Sequence, residues 1–293
     1  PVIWSKENNK KAQNLKQKIV LLINAGNANA FTGEDGLLAC REKATSLSNI
    51  FKCESKNIFF ASTGVIGEKL PHKKIIQHFS YLQKNLSSYN FENASYSILT
   101  TDLKPKIYTS KFRICNKTFT LSGFAKGSGM IYPNMATMLA FLFTDFAIDK
   151  ETLSVFTQKA VGQSFNRISV DGDTSTSDTV YVGTTNKIPL KITKDQKAKA
   201  LKAFYAELKK AMIDLAKKIV LDGEGSKKFI EITVINAKTA TSAKKICFSI
   251  ANSLLVKTAI AGEDANWGRL IMAIGKTKIN LKIENIKIYI QNF

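Results

Sequence analysis

Residues 123–143, GFAKGSGMIYPNMATMLAFLF, carry the strongest structural signal in this chain: a glycine-rich loop that runs into an apolar strand. Gly123–Met130 supplies the small residues of the loop. Thr137–Phe143 is a short apolar run, which is typical of a buried strand. The pattern therefore places the hydroxyl of Thr137 at the first position of a strand inside the domain.

Helices and strands are predicted to interleave on both sides of this junction. Ile19–Asn24 is a short apolar run that predicts a buried strand, and Ile107–Leu121 predicts a hairpin that turns at Asn116-Lys117. The carboxyl-terminal part is predicted to contain one helix, at Thr241–Ala261, and three strands, at Phe229–Ile235, Leu270–Ile274 and Ile279–Ile290. Because hairpins and crossovers both occur, the expected class is α/β with mixed sheets.

Composition and charge exclude several classes of protein. The chain has 293 residues, 44% of them hydrophobic, and its longest nearly apolar stretch is far short of a membrane span of ~20 residues. Its 43 Lys+Arg against 23 Asp+Glu give a net charge of +20, which attracts nucleic acid in many proteins. Only four of these residues are arginine, however, and the lysines are scattered. We therefore expect neither a nucleic-acid partner nor a membrane partner.

Cysteines and histidines do not form a recognisable metal site. The four cysteines lack C-x-x-C spacing, and their number is compatible with a reduced cytoplasm. The two histidines, His72 and His78, are six residues apart on a predicted helix, which turns them about 240° away from each other. With both histidines on one helix, a Ser-His-Asp triad is also improbable.

Thr137 could act as a nucleophile if the peptide bond before it were cut. A threonine hydroxyl needs a base, and a free α-amine with a reference pKa of about 7.7–8.0 suits that task. The hydroxyl could attack the Ala136 carbonyl to form an ester, which water then opens. However, most threonines at strand starts are structural, because threonine favours strands. The residues alone leave both interpretations open.

A family resemblance favours the catalytic interpretation. Residues 126–141, KGSGMIYPNMATMLAF, resemble the processing site of the ornithine acetyltransferase (glutamate N-acetyltransferase) family of arginine biosynthesis. Tyr132 departs from this pattern, because the family usually has a small residue there. Further segments agree with the family in order and spacing, at Asn24–Ala30, Ser62–Gly67, Thr100–Lys106, Asp171–Asp178, Asp222–Lys227 and Gly262–Arg269.

The resemblance implies how the chain is organised. It implies αββα layers of the N-terminal-nucleophile type, and self-cleavage between Ala136 and Thr137. Residues 1–136 would form an α chain and residues 137–293 a β chain, the two interleaving in one catalytic core. It also implies further family segments before Pro1 and after Phe293, the latter carrying substrate contacts.

The resemblance further implies an acetyltransferase that moves acetyl from N2-acetyl-L-ornithine to L-glutamate by a ping-pong route. Thr137 would carry the acetyl group, and Thr63 with Gly64 would form the oxyanion site. The matching substrate-binding positions are Thr100, Lys126, Thr137 and Glu224. Our own inference is that the lysine among them binds an α-carboxylate and the glutamate an ammonium group.

The remaining expectations concern cofactors, partners and alternatives. We expect no metal and no cofactor, with acetyl-CoA open as a second acetyl donor for direct N-acetylglutamate synthesis by an amino-acid N-acetyltransferase activity. The expected partners are the two substrates and the α and β chains themselves, as a heterotetramer of two α and two β chains in the cytoplasm. The alternatives are an aminopeptidase-like N-terminal nucleophile hydrolase and a non-catalytic basic remnant that binds nucleic acid.

Overall fold

The computed structural model describes residues 1–11, 18–132, 138–189 and 193–290. The strands within these ranges are β1 (Val20–Asn24), β2 (Ile58–Ser62), β3 (Lys106–Ile114), β4 (Lys117–Lys126), β5 (Leu139–Phe146) and β6 (Thr179–Ile188). The α-helices within them are α1 (Val2–Lys11), α2 (Gly33–Phe51), α3 (His72–Gln77), α4 (Phe79–Lys84), α5 (Phe91–Tyr96), α6 (Lys150–Gly162), α7 (Lys194–Leu221), α8 (Ala240–Ala251), α9 (Leu254–Ala261) and α10 (Trp267–Gly275). None of the helices in these ranges is long and apolar enough to span a membrane.

Two sheets are formed. Strands β1 and β2 pair in parallel, with Asn24 opposite Ser62, so both of their carboxyl ends lie at one edge. The second sheet has the order β3-β4-β5-β6, with antiparallel pairing up to β5 and parallel pairing between β5 and β6. At one edge of this sheet, the end of β4 at Lys126 pairs with Leu139, which in turn pairs with Thr179.

The side chains of the strands alternate between separate apolar layers. On β2, Phe60 packs against α2, whereas Ala61 points to the second sheet and joins Phe124 and Phe141. The opposite face of the second sheet, which includes Leu121, packs on α6 and α7. The layers therefore run helix, sheet, sheet, helix, which confirms the expected αββα arrangement of a mixed α/β fold.

The predicted hairpin is present, with its turn one residue earlier than expected. Ile114 pairs with Lys117, so the turn residues are Cys115 and Asn116. Both have left-handed backbone angles, with φ values of +46° and +62°. Two consecutive positive φ values match the twist of a two-residue hairpin turn, and asparagine tolerates this conformation well.

The carboxyl-terminal part differs from the prediction. The single helix expected over Thr241–Ala261 is two helices, because the Ser253 side chain accepts a hydrogen bond from Val256 N and starts α9. The strand predicted at Leu270–Ile274 was wrong: these residues belong to α10, whose first turn is capped by Asn266. Residues 229–235 and 279–290 form no strand either, and apolar side chains from both segments pack beside α8 and α10. A short apolar run fits a helix or a strand equally well, and an N-cap residue just before the run indicates the helix.

Candidate functional site

The turn after β2 is held against the loop after β1 by backbone contacts. Thr63 N donates to Asn24 O at 3.1 Å, and Val65 N donates to Gly26 O at 3.2 Å. Gly64, between them, has φ +126°, and a Cβ there would lie 2.3 Å from the carbonyl carbon of Gly26. Only glycine fits such an angle and such a close approach of two backbones.

This turn offers two hydrogen-bond donors. The Thr63 side chain is buried, at 1% exposure, and its amide is already used by the loop after β1, so the hydroxyl is its free donor. The Gly64 N–H donates to no acceptor in the described part of the chain. A hydroxyl and an amide side by side suit an oxygen that gains negative charge during a reaction. This geometry is compatible with the oxyanion role expected for Thr63 and Gly64.

Lys126, the last residue of β4, brings three predicted site residues together. Its buried Nζ donates to Thr100 Oγ1 at 2.7 Å and to Thr63 Oγ1 at 3.3 Å. An ammonium group accepts no hydrogen bond, so both hydroxyls keep their own protons for other acceptors. Burial lowers the pKa of Lys126, and the nearby carboxylates of Asp102 and Glu224 act in the opposite direction. The site is therefore a desolvated cation flanked by two hydroxyl donors.

Glu224 reaches the same site from the loop after α7. Its backbone N donates to Ser128 O at 3.1 Å, and Ser128 Oγ donates to Asp222 O at 2.6 Å. Its carboxylate lies over Gly129, where a Cβ would come within 2.6 Å of Oε1. The side chain is exposed and makes no direct contact with Lys126 among the described residues. The structure thus places a carboxylate over Gly129, three residues along the chain from the Lys126 cation.

The segment Asp171–Asp178 holds the two flanks of the predicted processing site. Asp171 accepts from the backbone N–H groups of Met130, at 2.5 Å, and Ile131, at 3.0 Å. Asp178 accepts from Met138 N at 3.0 Å. From the sequence, this segment is identified only as one that agrees with the family, so these two anchoring roles were not predicted. The sequence signal that could have indicated these roles is the pair of aspartates, Asp171 and Asp178, at the two ends of a segment that contains a glycine.

Asp178 is an unusual carboxyl group. It is only 6% exposed, and its Oδ2 has no hydrogen-bond partner in the described part of the chain. Burial raises the pKa of Asp178 to about 8, and the hydrogen bond from Met138 acts in the opposite direction. The folded protein therefore favours the neutral acid here, beside the residue that follows Thr137 in the chain.

Two of the predicted residues, Ala136 and Thr137, lie outside the described residues. Tyr132, just before that segment, packs its ring edge-on against Phe248 of α8, with the ring centres 5.7 Å apart. In the ranges that the structure describes, no cluster of histidine, cysteine, aspartate or glutamate is arranged to hold a metal ion.

Comparisons with known proteins identify the family of this chain. The ArgJ family matches residues 1–293. The arginine biosynthesis bifunctional protein ArgJ of Caldanaerobacter subterraneus subsp. tengcongensis is 41% identical over 292 residues, which cover 100% of this chain and 71% of that protein. Its counterpart from Gluconobacter oxydans is 42% identical over 277 residues, covering 94% of this chain and 64% of that protein.

Among solved structures, that of the arginine biosynthesis bifunctional protein ArgJ from Bacillus halodurans is 41% identical and aligns with a TM-score of 0.43. This alignment covers 48% of this chain and 66% of that one. The chain spans about two thirds of the length of the curated relatives that it matches. On the family match along all its residues and on its identity to these relatives, this chain belongs to the ArgJ family.

Proposed function

We propose that this chain forms the core of an acetyltransferase of arginine biosynthesis, which moves acetyl from N2-acetyl-L-ornithine to L-glutamate. The observation that carries the proposal is the buried Lys126 ammonium in contact with the Thr63 and Thr100 hydroxyls, next to the free Gly64 N–H. A cation for a carboxylate and donors for an oxyanion are what a site for acyl transfer between amino acids needs. The names of the relatives, which place them in arginine biosynthesis, support the same choice.

The proposed chemistry has two half-reactions. The Thr137 hydroxyl attacks the acetyl carbonyl of acetylornithine while its own α-amine takes the hydroxyl proton. The Thr63 hydroxyl and the Gly64 N–H stabilise the tetrahedral oxygen, each worth about 2.7–4 kcal/mol. The C–N bond then breaks, the proton passes to the departing amine of ornithine, and acetyl-threonine remains. The amine of glutamate reverses these steps and leaves as N-acetylglutamate.

Substrate orientation follows from the two opposite charges of Lys126 and Glu224. Lys126 would hold the α-carboxylate of acetylornithine, and Glu224 would hold its side-chain ammonium. Charge-assisted hydrogen bonds of this kind are stronger than neutral ones, and two of them fix the direction of an extended substrate. The acetyl group, on the amine of the α-carbon that carries the carboxylate, then lies next to Lys126, where the donors of Thr63 and Gly64 can reach it.

We also propose that the active protein is cut between Ala136 and Thr137. The resulting chains, residues 1–136 and 137–293, would assemble as two α and two β chains in the cytoplasm. The bonds to Asp171 and Asp178 support this proposal, because they hold the backbone on both flanks of the cut. The word "bifunctional" in the names of the relatives supports a second activity, and we propose acetyl-CoA as the acetyl donor for it.

The test is an intact-mass measurement on the full-length protein, with and without acetylornithine. We expect two chains, with one acetyl group added to the β chain, and transfer of that group to glutamate rather than to water. Thr137→Ala should give one uncut chain without acetyl. Thr109→Ala, which removes an exposed strand threonine, is the matched control and should behave as the wild type. An uncut wild-type chain would contradict the processing step, and an unlabelled β chain would contradict the nucleophile.

A further inference from the structure

A buried row of four alternating charges lies beneath the substrate-binding residues. It runs from Lys126 to Asp102, then to Lys106 and Asp222, and each of these side chains is at most 2% exposed. Two lysines and two aspartates make the row neutral, which satisfies the need of buried charges for partners. The segment Thr100–Lys106 agrees with the family, but its sequence alone predicts no role for Asp102 or Lys106.

Lys106 fixes the Asp102 carboxylate from the side away from Lys126. Asp102 Oδ1 accepts from Lys106 Nζ at 2.5 Å and from Gly127 N at 2.6 Å. Lys106 Nζ is itself anchored at 2.5 Å by Oδ2 of Asp222. Asp102 is therefore turned toward Lys106 and Gly127, and its other oxygen, Oδ2, which accepts from Thr100 N at 3.3 Å, stops 3.6 Å from Lys126 Nζ. At that separation the two groups form an ion pair, but the contact is too long for a hydrogen bond.

The consequence concerns the protons of Lys126. An ammonium group has three donors, and two of them are given to the Thr63 and Thr100 hydroxyls. In the part of the chain that the structure describes, the third has no acceptor within hydrogen-bond distance. The nearest candidate is the Asp102 carboxylate, which would move onto Lys126 if nothing else held it.

We propose that Lys106 is a positioning residue for substrate binding: by holding Asp102 away from Lys126, it leaves one Lys126 proton for the α-carboxylate of the acyl donor. This inference rests on the proposed function, because it assigns Lys126 to a substrate carboxylate. Lys106 touches no substrate and acts only through Asp102. Without Lys106, Asp102 would have Lys126 as its one remaining cationic partner in the row, and the pair would close on itself.

The experiment compares N2-acetylornithine with its α-carboxamide as acetyl donors to glutamate. The carboxamide cannot form the charge-assisted hydrogen bond that the α-carboxylate of N2-acetylornithine, the acid, forms with Lys126. Loss of such a bond costs about 10- to 100-fold, so we expect kcat/KM of the wild type to favour the acid over the carboxamide by that factor. Lys106→Met should lose most of this preference through a higher KM for the acid. Lys104→Met, which removes an exposed lysine of the same segment, is the matched control and should keep it.

A second pair of variants keeps the test valid if Lys106→Met does not fold. Asp102→Asn and the charge-balanced Asp102→Asn/Lys106→Met should show the same preference for the acid. In both variants residue 102 has no carboxylate for Lys106 to hold away from Lys126. A further tenfold loss in the double variant, or a wild-type preference in Lys106→Met, would overturn the inference. If the wild type transfers no acetyl group, the proposed function fails. In that case the preference for the acid is measured as the ratio of the calorimetric affinities of the two ligands. A lower ratio in Lys106→Met supports the inference, and a wild-type ratio in that variant overturns it.

Discussion

Asp178 provides a quantitative test of how burial acts on this fold. Burial raises the pKa of Asp178 to about 8 in the folded protein, whereas an aspartate in an unfolded chain has a pKa of about 3.9. The folded state therefore binds this proton more tightly than the unfolded state. The associated stability is fully present below the unfolded pKa, and it is lost as the pH rises through the interval from about 4 to 8.

The magnitude follows from proton linkage. Inside this interval, each pH unit lowers the free energy of unfolding by about 1.4 kcal/mol, so the change from pH 5 to 7 is about 2.7 kcal/mol. Asp178→Asn keeps the shape of the side chain and an oxygen for the Met138 N–H, but it cannot ionise. We therefore expect the stability of the variant relative to the wild type to increase by about 2.7 kcal/mol between pH 5 and 7.

The assay is urea unfolding at pH 5, 6 and 7, with both proteins carrying Thr137→Ala so that each remains a single chain. All other titrating groups cancel in the difference between the two proteins. Asp173→Asn, which changes an exposed carboxylate of the same segment, serves as the control. A constant difference between Asp178→Asn and its parent over this pH range would refute the argument from burial.

Two further predictions concern the turn and the ammonium site. Gly64→Ala should lower the free energy of unfolding by about 2–4 kcal/mol and abolish acetyl transfer, because its Cβ would collide with the Gly26 backbone. Gly67→Ala, also at a positive φ but with only one side-chain atom, 4.0 Å away, should cost about 1 kcal/mol; equal losses in melting experiments would argue against the collision. Glu224→Gln should raise KM for acetylornithine about tenfold with little change in kcat, whereas Glu231→Gln, at an exposed ion pair, should leave KM unchanged. A kcat effect without a KM effect would exclude the proposed ammonium contact.

Local sequence was sufficient where one pattern fitted one structure. The apolar run Ile19–Asn24 became β1, and the hairpin was predicted to within one residue of its turn. The α/β class followed from the same interleaving of helices and strands. The run Leu270–Ile274 was misassigned, because five apolar residues fit either element and the Asn266 cap four positions earlier was overlooked.

The residues of the site also divide into those that the sequence could predict and those that it could not. Motif matching along the chain named Thr63, Gly64 and Lys126, because each belongs to a contiguous segment that can be recognised without its neighbours. It gave no role to Asp178 or Lys106. Their function depends on partners that lie 40 and 116 residues away.

The physical reason is that strand pairing and helix docking set such long-range contacts. Asp178 meets Met138 because β5 and β6 pair in parallel with Leu139 opposite Thr179. Lys106 meets Asp222 because the end of α7 docks beside the start of β3. The environments of Asp178 and Lys106 both depend on burial, and these side chains become buried only once the sheets and helices have packed together.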